Sequence, residues 1–308
     1  MTTLNERAAG IAARMIEHAD RLRLAVHQVG GVTIIDCGAV ALGGLDAGLH
    51  LTRLTMGDLG EVTLLPGPAI QVATDDPVRA CLACQYAGRP VSVGKYFGMG
   101  SGPMRAVLGG EPIFDDIPGR EESSVVVGAI ESRKLPTAEV VESLLVKLPE
   151  GTKLTLAVAP ASSIAGTVQV VARALETALH KLHALKFDVN QILSGIGVAP
   201  LPPMHPDEIQ AIGRTNDAIL YGGEVTLYVK CDDSAIEAVG PKVPSSDSKD
   251  HGELFANLFA RYGDFYKIDP MLFSPAVVTF VNLTTGRAFR YGQSEPALLQ
   301  RSFFGSPS

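Results

Sequence analysis

Arg173, Glu176 and His180 lie three and four residues apart, a spacing that gathers all three on one face of a helix. A guanidinium beside a carboxylate favours its ionised form, and a carboxylate so held can take a proton from water. The same spacing also describes a solvated ion pair on an amphipathic helix, with an idle surface histidine one turn on. Spacing alone leaves both readings open. Upstream, Leu154 to Ala159 is an apolar run of strand length that Pro160 stops. Small residues follow, Ser162 and Ser163 among them, and then a helical pattern through Leu185 in which Val171, Leu175, Ala178 and Leu182 form an apolar face. A strand that feeds a serine turn into a helix start lets ligands approach backbone N–H groups. Ser162 and Ser163 are therefore candidate ligand contacts.

Two other stretches carry groups that suit recognition. Between Val93 and Ala106, Gly94, Gly98, Gly100 and Gly102 are interspersed with Lys95, Ser101 and Arg105. A flexible backbone with cationic ends can wrap an oxyanion, and an ordinary Gly/Pro turn beside a strand has the same composition. Arg214, Thr215, Asn216 and Asp217 follow one another in a run from Gly213 to Gly223, read as a loop of hydrogen-bonding groups. A turn held by Asn216 and Asp217 to their own backbone is the alternative. The glycines of Gly38 to Gly48 lack both the GxGxxG order and the GK[ST] ending of nucleotide loops, so close chain approach is the better account of them. Cys81 and Cys84 form a lone CxxC without a second pair, which reads as buried packing on a helix from Pro77 to Ala87.

The elements that must position these groups can be read in order. Asn5 is a plausible cap for a helix to about Leu24, and Val32 to Cys37, Leu49 to Thr55 and Glu61 to Leu65 read as strands. Glu111 to Ser123 reads as an acidic surface turn, Ser124 to Ile130 as a strand, and Thr137 opens a helix to about Leu148. Pro149-Glu150-Gly151 suits a boundary, dividing the chain at about 1–150 and 151–308, with interleaving of segments allowed. Val198 to Pro206 carries four prolines and reads as an extended connector, after which Asp207 caps a short helix. Glu224 to Lys230 is a strand, Pro241 to Asp250 an exposed loop, Gly252 to Tyr262 a helix, and Pro275 to Leu283 with Arg287 to Tyr291 a hairpin. The tail from Ser302 reads as loose. Gly60-Glu-Val-Thr-Leu64 recurs as Gly223-Glu-Val-Thr-Leu227, a hint of equivalent strands in two similar halves.

Composition narrows the function classes. Across 308 residues, 46% are hydrophobic and 19% charged, a mixture that supports a real core. The net charge of −7 argues against non-specific nucleic-acid binding. No apolar run reaches membrane-spanning length, and the first residues lack a basic segment followed by an apolar one. With only four cysteines, the expectation is a reduced, cytoplasmic protein without a disulfide framework, a metal or a membrane partner.

Gly100-Ser-Gly-Pro103 with Arg105, the Arg173-x-x-Glu176 helix, and Gly213-Arg-Thr-Asn-Asp-Ala-Ile-Leu-Tyr-Gly222 together resemble the methenyltetrahydromethanopterin cyclohydrolase family. Gln85-Tyr-Ala-Gly88 and Met204-His-Pro206 extend the likeness through nearly the whole chain. The resemblance implies an α+β fold, two α+β domains with a ligand cleft between them, usually in a homo-oligomer such as a dimer or trimer. It implies reversible hydrolysis of the methenyl bridge of a tetrahydromethanopterin derivative to the 5-formyl form, with no tightly bound cofactor. The family's catalytic arginine and glutamate match Arg173 and Glu176. Lys95, Ser101 and Arg105 then become candidates for the anionic tail of the substrate, and Arg214, Thr215, Asn216 and Asp217 for the donor and acceptor edge of its pterin. Met104 and Arg89 depart from the family's pattern, which bears on the fit around the tail. The same ring opening on methenyl-tetrahydrofolate, or pterin binding without catalysis, are the competing expectations.

Overall fold

The fold was read from a computed structural model that describes residues 2–263 and 267–305. In chain order the elements begin α1 (Leu4–Glu17), α2 (Ala19–Leu22), β1 (Ala25–Val29), β2 (Val32–Asp36), α3 (Leu45–Thr55), β3 (Glu61–Leu65), β4 (Ala69–Thr74), β5 (Arg89–Val93) and β6 (Tyr96–Ser101). They continue α4 (Met104–Leu108), β7 (Val125–Glu131), α5 (Ala138–Leu145), β8 (Lys153–Val158), α6 (Ile164–Val171), α7 (Ala174–Ala184), β9 (Ile192–Pro200) and α8 (Glu208–Gly222). The chain closes with β10 (Glu224–Val229), α9 (Asp233–Val239), α10 (Phe255–Tyr262), β11 (Val277–Asn282), β12 (Ala288–Gly292) and α11 (Pro296–Phe304). Two compact units result: residues 1–61 with 79–169, and residues 62–78 with 170–308. Each holds a six-stranded mixed sheet with helices, an α+β architecture twice over. The division falls inside α6, so β8 belongs to the first unit although it follows residue 150, and β4 is lent to the second.

In the first unit the strand order is β1-β2-β8-β7-β6-β5, with β2, β8 and β7 parallel. The period of two along these strands sorts their side chains into two cores. Ile35, Val127 and Ala157 face α1 and α3, whereas Ile34, Val126 and Leu156 face α5 and Met104. Met104 fills the space over Gly128, where a Cβ would stand 2.1 Å from its sulfur, so its departure from the family's pattern is an interior packing matter.

Several expectations are corrected here. Residues 49–55 form the end of helix α3 rather than a strand, because Ala47, Leu51 and Leu54 recur at helical spacing and are all buried. The cap of α1 is Thr3, in a reciprocal box with Glu6. Asn5 is instead a buried joint: its amide donates to Pro103 O (2.9 Å) and Glu121 (2.7 Å), and its oxygen accepts from Val127 N–H (2.8 Å). Glu121, read as a surface residue, also accepts the N–H groups of Leu4 and Asn5.

The second unit orders its strands β12-β11-β10-β9-β4-β3. Both copies of the repeated pentapeptide fall in this one sheet, β3 at its edge and β10 near its middle, so they do not mark equivalent strands of two halves. β9 carries little strand pattern before its last residues, because Gly195 and Gly197 interrupt its apolar run. The expected 241–250 loop is folded inward, with Ser245, Ser248 and Asp250 buried. The tail is helical through Phe304, with Phe303 buried; residues 306–308 lie outside the described part.

Candidate functional site

The single helix expected through Leu185 is two, α6 and α7, broken at Ala172 and Arg173. Thr167, Val168, Val170 and Val171 crowd the end of α6 with β-branched side chains, which are poor helix formers. The break makes Arg173 the residue before α7 (φ −85°, ψ 6°) and puts Glu176 in the first turn. The positive end of a helix dipole favours a carboxylate there. Arg173 is 8% exposed and Glu176 4%. A solvated surface pair is thereby excluded, since both ends of it are interior. Burial also runs round most of α7, taking in Ala174, Leu175, Ala178, Leu179, Lys181 and Leu182. Charged groups persist in such surroundings only where they are partnered. His180 is half-buried rather than on an open surface.

Nothing in the local sequence sets Lys181 apart from a helix-surface lysine. It is 1% exposed, and its Nζ donates to the carbonyl of Met271. Burial lowers its pKa, opposed by the carboxylates of Asp247 and Asp269.

In the first unit, Ser163 closes the turn into α6: its hydroxyl donates to Pro160 O (2.8 Å) and accepts from Gly166 N–H (3.0 Å). Ser162 beside it is half-buried. The Gly38 to Gly48 segment packs directly on this turn. A Cβ at Gly38 would stand 2.4 Å from that of Ser163, and one at Gly48 2.6 Å from Val168. Asp36, at the end of β2, fixes the segment. Its buried carboxylate accepts four backbone N–H groups, those of Gly38, Ala39, Val40 and Ala41, at 2.7–3.0 Å. An Asp at a strand end followed by Gly is the local signal that could have found it.

The presumed oxyanion loop is largely strand. Val93 pairs with Tyr96 across the two-residue turn Gly94-Lys95, and β6 pairs with both β5 and β7, so its N–H groups serve the ladder. Lys95 is exposed at the turn, whereas Ser101 is buried at the far end of β6. Six residues of strand put their backbones about 20 Å apart. One small anion cannot bridge them. Arg105 is fully buried on α4, forked onto Glu111 at 2.6–3.1 Å and donating to the carbonyls of Leu82 (2.8 Å) and Cys84 (3.4 Å). Its guanidinium lies over Tyr86 at 4.9 Å and Phe114 at 5.5 Å. So engaged, it holds the protein together rather than reaching for a substrate tail. The carbonyls it binds belong to Val78–Gln85, a π-helical stretch that buries Cys81 and Cys84. Among the described residues no group of three or more His, Cys, Asp or Glu side chains could hold a metal ion, and no helix is long and apolar enough to cross a membrane.

Arg214, Thr215, Asn216 and Asp217 are helical, inside α8, which Asp207 caps at Gln210 N–H (3.0 Å). Thr215 and Asn216 bond back to carbonyls of their own helix, and Arg214 donates to Pro203 O (3.1 Å) and Met204 O (3.3 Å). Asp217 is buried, accepting from Phe255 N–H (2.9 Å) and from Ser302 Oγ (2.6 Å), and so ties α8 to α10 and α11. Burial pushes its carboxyl up to about 6, against the pull of those two hydrogen bonds. Arg214, Asp217, Arg301 and Ser302 line a cavity of ≈180 Å³, below the range of about 300–1,000 Å³ that ligand pockets span.

The sequence that builds these two α+β units matches a known class of proteins. A family model described as "Cyclohydrolase (MCH)" matches residues 3–303, and the chain belongs to that family. A methenyltetrahydromethanopterin cyclohydrolase from Rhodopirellula baltica is 47% identical over 289 residues, 89% of this chain and 87% of the relative. Those of Xanthobacter autotrophicus and Methanococcoides burtonii are each 42% identical, covering 96% and 98% of this chain and 91% and 98% of their own.

Proposed function

We propose that this protein hydrolyses 5,10-methenyl-tetrahydromethanopterin, reversibly, to the 5-formyl derivative, as a step of one-carbon metabolism. The observation that carries the reading is the interior placement of Glu176 in the first turn of α7, with Arg173 immediately before that helix. The names of the relatives support the substrate.

The methenyl carbon is an amidinium centre, electrophilic without further activation. Water adds to it, the bond from that carbon to the aryl nitrogen breaks, and the nitrogen takes up one proton while a second is released. Glu176 accepts a proton from the attacking water and returns it to the leaving nitrogen, and its charge stabilises the cationic substrate. Arg173 keeps the carboxylate charged and in one orientation. Ser162, half-buried at the turn into α6, and Lys95, exposed at its hairpin, remain candidate contacts to the substrate. The protein acts in the cytoplasm, as a dimer or trimer.

General-base help of this kind is worth about 10²–10⁴-fold in rate. Glu176→Gln should therefore bind methenyl-pterin and lose most turnover, read as decay of the methenyl absorbance. Near-normal decay would remove Glu176 from the mechanism. Running the assay with the tetrahydrofolate analogue in parallel settles the carrier. Binding of either without accelerated decay would make this a pterin-binding protein.

A further inference from the structure

The carboxylate proposed to activate water sits on α7, so whatever sets the depth of α7 over its sheet sets where that carboxylate points. Gly197 of β9 lies directly under the first turn. A Cβ there would come within 2.8 Å of Leu175 N, 2.9 Å of its Cβ and 3.2 Å of its Cα. Leu175 immediately precedes Glu176. Backbone thus rests on backbone, with no side chain between. Gly195, two residues earlier on the same face, would meet the Leu175 side chain first, its Cδ1 at 2.8 Å and Cδ2 at 3.1 Å, and a leucine end can rotate away.

The strand cannot retreat. Gly197 pairs with Val72 of β4 on one side and Val225 of β10 on the other, so β9 is held in a ladder from both edges. The far part of α7 is held as well, since the buried Lys181 donates to Met271 O. Asp269, whose carboxylate influences Lys181, is itself fixed by Ser248 Oγ at 2.7 Å.

We propose that Gly197 is a positioning residue for the hydrolysis: by admitting the α7 backbone to contact with β9, with Lys181 anchoring the other end, it sets the height of Glu176. The inference rests on the general-base reading of Glu176. An alanine at 197 demands that the first turn rise by about 0.6 Å, from 2.8 Å to the 3.4 Å at which ordinary Cβ contacts begin. Because the strand is braced and the far end pinned, the displacement goes into the turn that carries Glu176. A misplacement of about 1 Å can cost about 10²-fold in rate.

The test is steady-state hydrolysis of methenyl-pterin by Gly197→Ala, Gly195→Ala, Glu176→Gln and the Gly197→Ala/Glu176→Gln double variant, normalised to folded protein. The expectation is a fall of about 10-fold or more in kcat for Gly197→Ala, with KM within about threefold, because binding groups elsewhere are untouched. Gly195→Ala should stay within about threefold of the parent. The double variant should be no slower than Glu176→Gln alone, since Gly197 acts through that carboxylate. Unchanged kcat in Gly197→Ala, a loss confined to KM, or a further loss on the Glu176→Gln background would each overturn the inference while leaving the general base in place. A fully active Glu176→Gln would instead sink the reading beneath it. If Gly197→Ala does not fold, Lys181→Met releases the other anchor and must show the same split, a lower kcat at unchanged KM; parental kcat in that variant overturns the inference.

Discussion

Asp217 offers a perturbation whose sign and size both follow from its surroundings. Its carboxyl is raised from an ordinary 3.8 to about 6 by burial, while hydrogen bonds from Ser302 and Phe255 pull it back. In the unfolded chain it would titrate near the ordinary value. Between about 3.8 and 6 the folded protein therefore holds a proton that the unfolded chain has released, and stability falls as pH rises through that window. Above it the loss is complete. Each tenfold change in proton affinity is about 1.4 kcal/mol, so the charged form costs about 3 kcal/mol at neutral pH. Asn in its place has no charge to bury, keeps an acceptor for the Phe255 N–H, and presents an amide that the Ser302 oxygen can accept. Asp217→Asn should thus match the parent near pH 4 and exceed it by roughly 1–3 kcal/mol at pH 7.5, a rise of a few degrees in Tm. The assay is thermal unfolding of both proteins from pH 4 to 8, with the difference in Tm plotted against pH. Other titrating groups are common to the two and cancel. A difference that does not change with pH, or an Asn variant less stable than the parent at pH 7.5, would refute the reasoning.

Arg105→Lys should be destabilised by about 2–4 kcal/mol, because a lysine cannot reproduce the fork onto Glu111 and leaves buried partners unmet. Its KM, measured on the folded fraction, should stay near the parental value; a large rise in KM with normal Tm would return Arg105 to the substrate tail. Asp36→Ala should lower Tm and speed hydrogen exchange at Gly38, Ala39, Val40 and Ala41, whose N–H groups lose their acceptor. Unaltered exchange at those four amides would mean that the turn holds itself.

Much of the scaffold was legible because local chemistry and tertiary outcome agreed. Ser124 to Ile130, Val32 to Cys37 and the hairpin about Thr284-Thr285-Gly286 read correctly from apolar runs bounded by turn residues. Two kinds of misreading share one cause, a residue type whose local preference was overruled by what packs against it. Glycine reads as looseness at β6, and it hides β9 from a strand pattern. In the folded chain Gly98 makes room for Ile130, and Gly197 for the α7 backbone. Polar runs read as loops at 213–217 and 241–250. Thr215 and Asn216 satisfy themselves within a helix, and Asp217 and Ser245 are satisfied by neighbours distant in sequence.

By itself the sequence determined the family, the α+β class and the spacing of Glu176 three residues after Arg173. Those depend on residue identity and on spacing along one segment, which any fold of the chain must respect. Only the tertiary structure decided that both residues are interior, that Arg105 is forked onto Glu111, and that α7 rests on a glycine. Burial and contact depend on which distant segments meet, and a guanidinium beside a carboxylate carries no local mark of whether water or protein surrounds it.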